Sequence, residues 1–346
     1  MNLSVKTLSS DEVNDFVTHL LHLTGHDPDL IRKEIRFIDW WFFSRDQDRN
    51  VLAAAFAADG EPAGYVGYAR TELARGTTSV PAAILSSAMT NPQLRGQGVF
   101  SHLMKYLIEQ AAQAGIDVLY GSPNRNSCRI FISRLGFTGL FHWHRYARPI
   151  RWDPLGARFG APGQWIARTA GRISDMVIPL RVKGYGYTTS QELPVDFDAF
   201  MAKAVQPAAC HLARSSDYGR WRFSRPDRQY QHVILRDQAG QLAGWAAVDR
   251  VQHGKRSRLH IGDYWIVGNE TRTLRALVAA VREIATENGD DEIYAAGRTC
   301  SRTYDLRRLG FIRKRSQTPI VVISPTGRDL AQVLEWEFRD TDVDMF

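Results

Sequence analysis

Residues Met89–Phe100 read Met-Thr-Asn-Pro-Gln-Leu-Arg-Gly-Gln-Gly-Val-Phe. An apolar run over Ala82–Met89 predicts a buried strand before this turn, and Val99–Ala114 repeats apolar residues at the spacing of a helix after it. Two glycines, Gly96 and Gly98, let backbone N–H groups converge on an anion, and the start of the helix adds unpaired donors and its positive dipole end. The pattern predicts a phosphate-binding turn. It is neither a Walker loop, which needs Gly-Lys-Ser/Thr, nor a dinucleotide fingerprint, which needs a third glycine.

This turn resembles a motif of a known family. Gln93-Leu-Arg-Gly-Gln-Gly98 matches, at every defined position, the diphosphate-binding signature Arg/Gln-x-x-Gly-x-Gly/Ala of the GNAT superfamily of acetyl-CoA-dependent N-acyltransferases. The family's later asparagine, short helix and Leu-Gly-Phe element is similar to Asn126–Phe137. The motifs span Val5–Tyr146. The resemblance implies an acyltransferase with acetyl-CoA as cosubstrate and no metal.

The resemblance also implies a role for each matching residue. The turn Arg95–Val99 would hold the pyrophosphate of CoA, and the preceding strand end would pair its backbone with the pantetheine amides, as an added strand does. Asn126 would reach the pantetheine arm, although a helix N-cap is an equally compatible role for it, and Arg129 would approach the phosphates. The residues implied in cofactor binding are Met89, Thr90, Gln93, Arg95, Gly96, Gln97, Gly98, Val99, Phe100, Asn126 and Arg129.

An internal repeat organises the whole chain. Trp41-Phe-Phe-Ser-Arg45 recurs as Trp221-Arg-Phe-Ser-Arg225, and Leu135-Gly-Phe137 recurs as Leu309-Gly-Phe311. Matches in the same order predict two copies of one fold. We expect an α/β (α+β) protein of two tandem GNAT-like domains, each with a mixed, largely antiparallel central sheet flanked by helices. The predicted bounds are 1–148 for the domain that binds acyl-CoA, 149–184 for a connector and 185–346 for a degenerate second domain.

The second copy departs from the glycine pattern. In place of Gln93–Gly98 it reads Val267-Gly-Asn-Glu-Thr-Arg272. The glycine pair is missing, and Glu270 puts negative charge where a phosphate would sit. We therefore expect CoA to bind to the first copy alone and the second copy to help shape the substrate site.

Composition and charge narrow the classes of protein. The 346 residues carry 44 Lys and Arg against 37 Asp and Glu, and 44% are hydrophobic, an ordinary globular balance. The densest basic clusters, Arg145–Arg151 and Arg307–Arg315, are short and indicate solvated surface, so no nucleic acid is expected as a partner. No apolar run approaches the ~18 residues of a membrane span. Met1–Ser10 has no signal-peptide pattern. Three scattered cysteines fit neither a disulfide framework nor a zinc site. We expect a cytoplasmic monomer or homodimer with no membrane partner.

The catalytic acid of the family is missing. Many members place a tyrosine four residues before the glycine of the Leu-Gly-Phe element, and this chain has Ile132 there. Ser127, Cys128 and Tyr146 are the nearby substitutes. Cys128 has no identifiable His, Asn or Asp partner that would make it a nucleophile. Ser127 and Tyr146 therefore remain the candidate acids.

The sequence also leaves open which residue is the general base. His142 and His144 alternate along an expected strand, so both imidazoles would share one face. This arrangement fits a base or a partly buried surface pair, and two ligands alone make a metal site the weaker interpretation. Asp39 and Glu72 are candidate carboxylates. The candidate catalytic residues are Tyr146, Ser127 and His144.

Three functions remain open at this point. The first is an acetyl-CoA-dependent N-acetyltransferase that acts on the primary amine of a small molecule, such as an amino sugar or amino acid derivative, in surface-polysaccharide or natural-product biosynthesis. The second is a tRNA-dependent aminoacyltransferase of the tandem-GNAT type, against which the intact glycine turn argues. The third is a non-enzymatic acyl-CoA-binding protein, which the missing tyrosine motivates.

The last residues alternate acidic and aromatic side chains over Trp336–Phe346. We expect a solvated, frayed terminus. The alternative is a segment folded into the acceptor site, where its carboxylates would bind a cationic amine.

Overall fold

The computed structural model describes residues 2–45, 50–152, 160–162, 165, 169, 182–205, 210–254, 256–268, 270–300, 304–333 and 335–343. Within them the chain forms two mixed, mostly antiparallel sheets flanked by helices, which confirms the expected fold class. Most of the expected connector, 149–184, lies outside the described residues. The three domain bounds therefore remain a prediction.

The described elements are named here in chain order. The strands are β1 (Ser4–Thr7), β2 (Val51–Phe56), β3 (Pro62–Arg75), β4 (Thr78–Thr90), β5 (Val118–Gly121), β6 (Thr138–Phe141), β7 (His144–Pro149), β8 (Tyr185–Ser190), β9 (His211–Leu212), β10 (Gln231–Asp237), β11 (Leu242–His253), β12 (Arg256–Ile266), β13 (Glu292–Arg298), β14 (Ile312–Arg315), β15 (Ile320–Ile323) and β16 (Phe338–Arg339). The helices are α1 (Ser10–Leu23), α2 (Pro28–Ile38), α3 (Val99–Gln113), α4 (Arg125–Arg134), α5 (Phe197–Ala204), α6 (Ser216–Phe223) and α7 (Thr271–Glu287), and a π-helical turn (Asp39–Phe43) continues α2.

Local sequence signals set the elements of the first sheet. α1 begins at a capping box, in which the Glu12 carboxylate accepts from the Ser9 backbone N–H at 3.0 Å. The turn between β2 and β3 uses Gly60 at φ +87°, a conformation that favours glycine. α3 buries Leu103 and Leu107 against the sheet at helical spacing. Local pattern and packing therefore agree along this part of the chain.

The two sheets exchange strands. The first has the order β1-β2-β3-β4-β5-β15-β6, and the second has the order β14-β7-β13-β12-β11-β10-β8. β7 follows β6 in the chain yet pairs with β13 and β14, while β15 follows β14 yet pairs with β5 and β6. Each sheet is therefore completed by a strand from the other half of the chain.

The end of the first copy differs from the sequence expectation. A single last strand over Phe137–Tyr146 is predicted, but the chain leaves the first sheet after Phe141 and enters the second at His144. His142 consequently lies in a connection between strands, and the two histidines do not share a strand face as expected. Alternation of side chains is the same for a strand of either sheet, so periodicity cannot reveal the crossing.

A tryptophan pair joins the two copies. The rings of Trp40 and Trp221 stack with centroids 5.1 Å apart, and each indole N–H donates to the other residue's carbonyl at 3.2 Å. The same N–H groups reach the hydroxyls of Ser224 and Ser44 at 3.3 and 3.1 Å. Trp41 beside them is fully buried, as expected for a core residue. The contact between copies thus uses Trp221 and both serines of the repeated motif, together with Trp40, which precedes the motif in the first copy.

The tail segment, Trp336–Val343, is packed into the protein. Trp336 is fully buried, and its ring meets Tyr120 edge-on with centroids 4.7 Å apart. The Tyr120 hydroxyl donates to the Asp342 carbonyl at 2.9 Å. The acidic side chains have basic partners: Glu337 with Arg339, Asp340 with His260, and Asp342 with Arg214. The expectation of a solvated terminus is wrong for these residues, because aromatic burial and ion pairing together fix them.

One buried arginine holds two carboxylates under the tail segment. Arg214 Nε lies 2.6 Å from the Asp263 carboxylate, and another guanidinium nitrogen contacts Asp342. All three side chains are at most 2% exposed. Burial raises the pKa of Asp342 to about 6, against the opposing effect of Arg214. The cluster ties the tail segment to β12, since a buried charge needs its partner.

We expect Arg214→Met to lower the free energy of unfolding by about 3–5 kcal/mol, because it leaves two buried carboxylates without their cation. Chemical denaturation of the full chain measures the loss. Arg220→Met is the matched control: Arg220 pairs with Asp217 at 2.6 Å, but the two side chains are 65% and 82% exposed. The control should cost about 1 kcal/mol or less. Equal losses for the two variants would contradict the structural role of the cluster.

Candidate active site

The glycine turn begins α3, as the sequence predicts. A short 3₁₀ turn, Pro92–Leu94, follows β4, and the Asn91 side chain caps it by accepting from the Gln93 N–H at 3.1 Å. Gly96 and Gly98 have φ of +82° and +88°, values that strain any other residue. A Cβ added at either glycine would meet no atom within 4 Å. The glycines are therefore required by the backbone, and the space above them is open to a ligand.

β4 has a free edge next to this turn. It pairs with β5 only at Ala82–Ile84. Its register with β3 then shifts, and Ser87 at that shift has φ +52°. Such a bulge bends a strand and interrupts its ladder. Beyond Ile84, no strand among the described residues pairs with β4 on the β5 side. An extended molecule that carries amides can pair with an edge of this kind.

The tail segment occupies the corresponding gap of the second sheet. β12 pairs with β13 only at Arg258–Ile261, and the two strands then separate. β16 pairs with β13 at Gly297 and Arg298, while Arg339 Nε donates to the Tyr264 carbonyl of β12 at 3.3 Å. The backbone approach is close, since a Cβ at Gly297 would lie 2.4 Å from a carbonyl oxygen of β16. The second copy therefore lacks both the glycine pair and a free strand edge.

Comparison with known proteins gives the family of the first copy. Residues 14–137 match the Acetyltransferase (GNAT) family. The first copy is a GNAT acetyltransferase domain. This confirms the resemblance carried by the glycine turn, and with it an acyltransferase of the GNAT family. No curated protein matches the sequence of the chain.

Solved structures share the GNAT fold over almost the whole chain. A GCN5-related N-acetyltransferase from Anabaena variabilis is 11% identical, with a TM-score of 0.65, over 94% of this chain and 73% of that one. A tandem GNAT protein from the clavulanic acid biosynthesis pathway is 15% identical, with a TM-score of 0.60, over 95% and 100%. An N-myristoyltransferase of Saccharomyces cerevisiae, solved with myristoyl-CoA, is 12% identical, with a TM-score of 0.59, over 100% and 86%. The structural similarity establishes the tandem fold, and sequence identities this low leave the substrate open.

The GNAT domain places the other implied cofactor residues on α4. Asn124, not Asn126, is the N-cap, and its Oδ1 accepts from the backbone N–H groups of Asn126 and Ser127 at 3.0 and 2.9 Å. The alternative role of Asn126 as a cap is therefore wrong, and its exposed side chain is available to a ligand. Arg129 is exposed on the same helix, one turn further on.

The candidate acids of the GNAT domain lie apart from each other. Ser127 is in the first turn of α4, with its Oγ 3.1 Å from Asn124 Oδ1. Ile132, at the position of the family's tyrosine, is on the same helix. Tyr146 lies in β7 and packs into the core of the second sheet, where burial raises its pKa. This position argues against Tyr146 as the acid, because a residue of that core does not face the free edge of β4.

The two histidines differ in environment. Burial, followed by the charges of Arg313 and Arg315, lowers the pKa of His144, so its imidazole is neutral at pH 7. His144 begins β7 and pairs with the second sheet. The Nδ1 of His142 lies 3.1 Å from the Ser316 carbonyl oxygen. Because a carbonyl can only accept, Nδ1 carries the proton and Nε2 is left as the acceptor.

Two features are absent from the ranges of the chain that the structure describes. No helix there combines the length and apolar character that a bilayer crossing requires. Nor do three His, Cys, Asp or Glu side chains come together there as a metal would need.

Proposed function

We propose that the protein transfers the acetyl group of acetyl-CoA to the primary amine of a small molecule, such as an amino sugar or an amino acid derivative. One observation carries this proposal: the glycine turn at the start of α3 lies beside the free edge of β4, and the second copy has neither feature. In the proposal the turn Arg95–Val99 binds the pyrophosphate. The edge Leu85–Thr90 then pairs with the pantetheine amides.

The proposed chemistry depends on orientation more than on a strong acid. Holding amine and thioester together supplies up to about 7–11 kcal/mol of the barrier. The departing thiolate is a tolerable leaving group, with a pKa of about 8.5 for a comparable thiol. Backbone N–H groups near Met89, where the bulge interrupts the ladder, polarise the thioester carbonyl.

We propose His142, acting through water, as the general base. Its Nδ1 faces the Ser316 carbonyl, which leaves Nε2 as the acceptor nitrogen. Its connection follows β6 at the end of the first sheet where β5 also ends. β4 runs parallel to β5, so the glycine turn lies at this same end. Cytoplasmic location and a monomeric or homodimeric state stay predictions from the sequence.

We expect thiol release from acetyl-CoA that depends on an added amine. The assay runs a panel of amino sugars and amino acids, with propionyl-CoA and myristoyl-CoA as alternative donors. His142→Gln should lower kcat about 10- to 100-fold, with the affinity for CoA unchanged. CoA binding without transfer to any amine would support the non-enzymatic alternative. Transfer from charged tRNA in place of acetyl-CoA would support the tRNA-dependent one.

A further inference from the structure

A cavity of 440 Å³ opens at the end of the first sheet, on the far side of β5 from the glycine turn. Three connections line it: the β5–α4 loop with Pro123, the β6–β7 connection with Trp143, and the β14–β15 connection with Thr318. Arg125, the first residue of α4, lines it as well. The Thr318 hydroxyl donates to the Pro123 carbonyl at 2.7 Å and ties two of these walls together. We call this cavity the basic recess.

The charges that line the basic recess all have one sign. They belong to Arg125, Arg145, Lys314 and Arg315. Within the described part of the chain, none of the four forms an ion pair. Arg145 and Lys314 stand directly opposite each other on the antiparallel strands β7 and β14. Like charges in this register destabilise a sheet, and a bound anion would offset their repulsion.

An aromatic wall adds a second observation. Trp143 lines the basic recess and is 4% exposed. The guanidinium of Arg145 lies 5.2 Å from the centre of the Trp143 ring, within the range of a cation–π contact. This contact keeps one of the four cations against the wall of the recess.

We propose that the basic recess binds an anionic group of the acyl acceptor, a carboxylate or a phosphate monoester carried by the molecule whose amine is acylated. This rests on the proposed acyl transfer and adds the class of acceptor. The loop Ser122–Asn124 leads from β5, beside the gap next to β4, to α4 with Asn126. A small molecule held by its anion therefore lies next to the proposed position of the thioester. Guanidinium groups suit this task, since they bind two oxygens of a carboxylate or phosphate at once.

Matched acceptors test the proposal: glucosamine 6-phosphate against glucosamine, and a free amino acid against its amide. Two readouts are used, kcat/KM for thiol release and calorimetric binding to protein saturated with CoA, which needs no turnover. We expect the anionic member of at least one pair to be favoured 10-fold or more. In the double variant Arg145→Gln, Lys314→Gln this preference should be lost, through weaker use of the anionic member, with the uncharged member and CoA unaffected.

Arg313→Gln is the matched control, because Arg313 is exposed on the same strand but does not line the recess. Equal binding of both members of each pair, or an equal effect of the control, overturns the proposal. A third result also overturns the proposal: the double variant binds CoA less tightly, and the unchanged protein binds dephospho-CoA less tightly to the same extent. The recess would then hold the 3′-phosphate of CoA. If no amine is acetylated but the calorimetric preference holds, the proposed function fails and the anion site stands.

Discussion

Gly98→Glu should abolish CoA binding while the protein stays folded. Gly98 is the N-cap of α3, with φ +88° and open space around the position of a Cβ. A glutamate there fills the space of the pyrophosphate and sets negative charge against it, at the helix end that favours anions. Calorimetry should give one CoA per unchanged chain and an affinity at least about 100-fold weaker for the variant, which corresponds to ~3 kcal/mol.

Two controls separate binding from backbone strain. Gly115 follows the other end of α3 with φ +69° and no atom within 4 Å of an added Cβ, so Gly115→Glu imposes similar strain away from the turn. It should leave CoA binding intact. Glu270→Gln should do the same, since the gap of the second sheet is occupied by β16. Two CoA molecules per chain, or normal binding by Gly98→Glu, would refute the assignment to the first copy.

Residues 1–148 alone should not form a stable, soluble domain. Their sheet lacks β15, so β5 and β6 lose the strand between them and expose two unpaired edges. β7 loses both of its partners, and Trp40 loses the ring and the carbonyl of Trp221. Expression of this fragment, followed by separation of soluble and aggregated material and near-ultraviolet circular dichroism, checks the expectation.

Co-expression of residues 1–152 with residues 182–346 is the control for this fragment. The second piece carries β13, β14 and β15, so both exchanged strands find their partners. The pair should co-purify and recover CoA binding. A fragment of residues 1–148 that is soluble and binds CoA alone would show that the exchange is dispensable.

Most of the proposed cofactor site follows from local sequence. A glycine pair between an apolar strand and a helix with apolar periodicity favours a tight turn with positive φ at the glycines, and Gly96 and Gly98 have that conformation in the structure. The repeat likewise predicts two similar sheets. At the contact between copies, Trp221 of the repeated motif stacks on Trp40, the residue directly before the motif in the first copy.

The proposed acceptor site could not be predicted in the same way. Lys314 meets Arg145 only because β7 leaves the first half to join the second sheet, and no local pattern specifies which sheet a strand joins. The burial of Asp342 depends on Arg214, which lies far away in the chain. An acidic and aromatic run therefore looks like a frayed end until its distant cation is known. The surroundings of Lys314 and Asp342 are therefore set by residues distant in the sequence, and the types of the neighbouring residues do not reveal them.

The exchanged strands also set an order of events during synthesis. β6 leaves the ribosome long before β15, and at about 5–20 residues per second the delay is on the order of 10–40 s. Throughout that interval the nascent first sheet lacks the strand that lies between β5 and β6, and no earlier segment of the described chain fills its place. The first half is translated first, yet its sheet is completed only when nearly all of the chain has been made, so truncated translation products should be recognised by chaperones and proteases as unfolded chains.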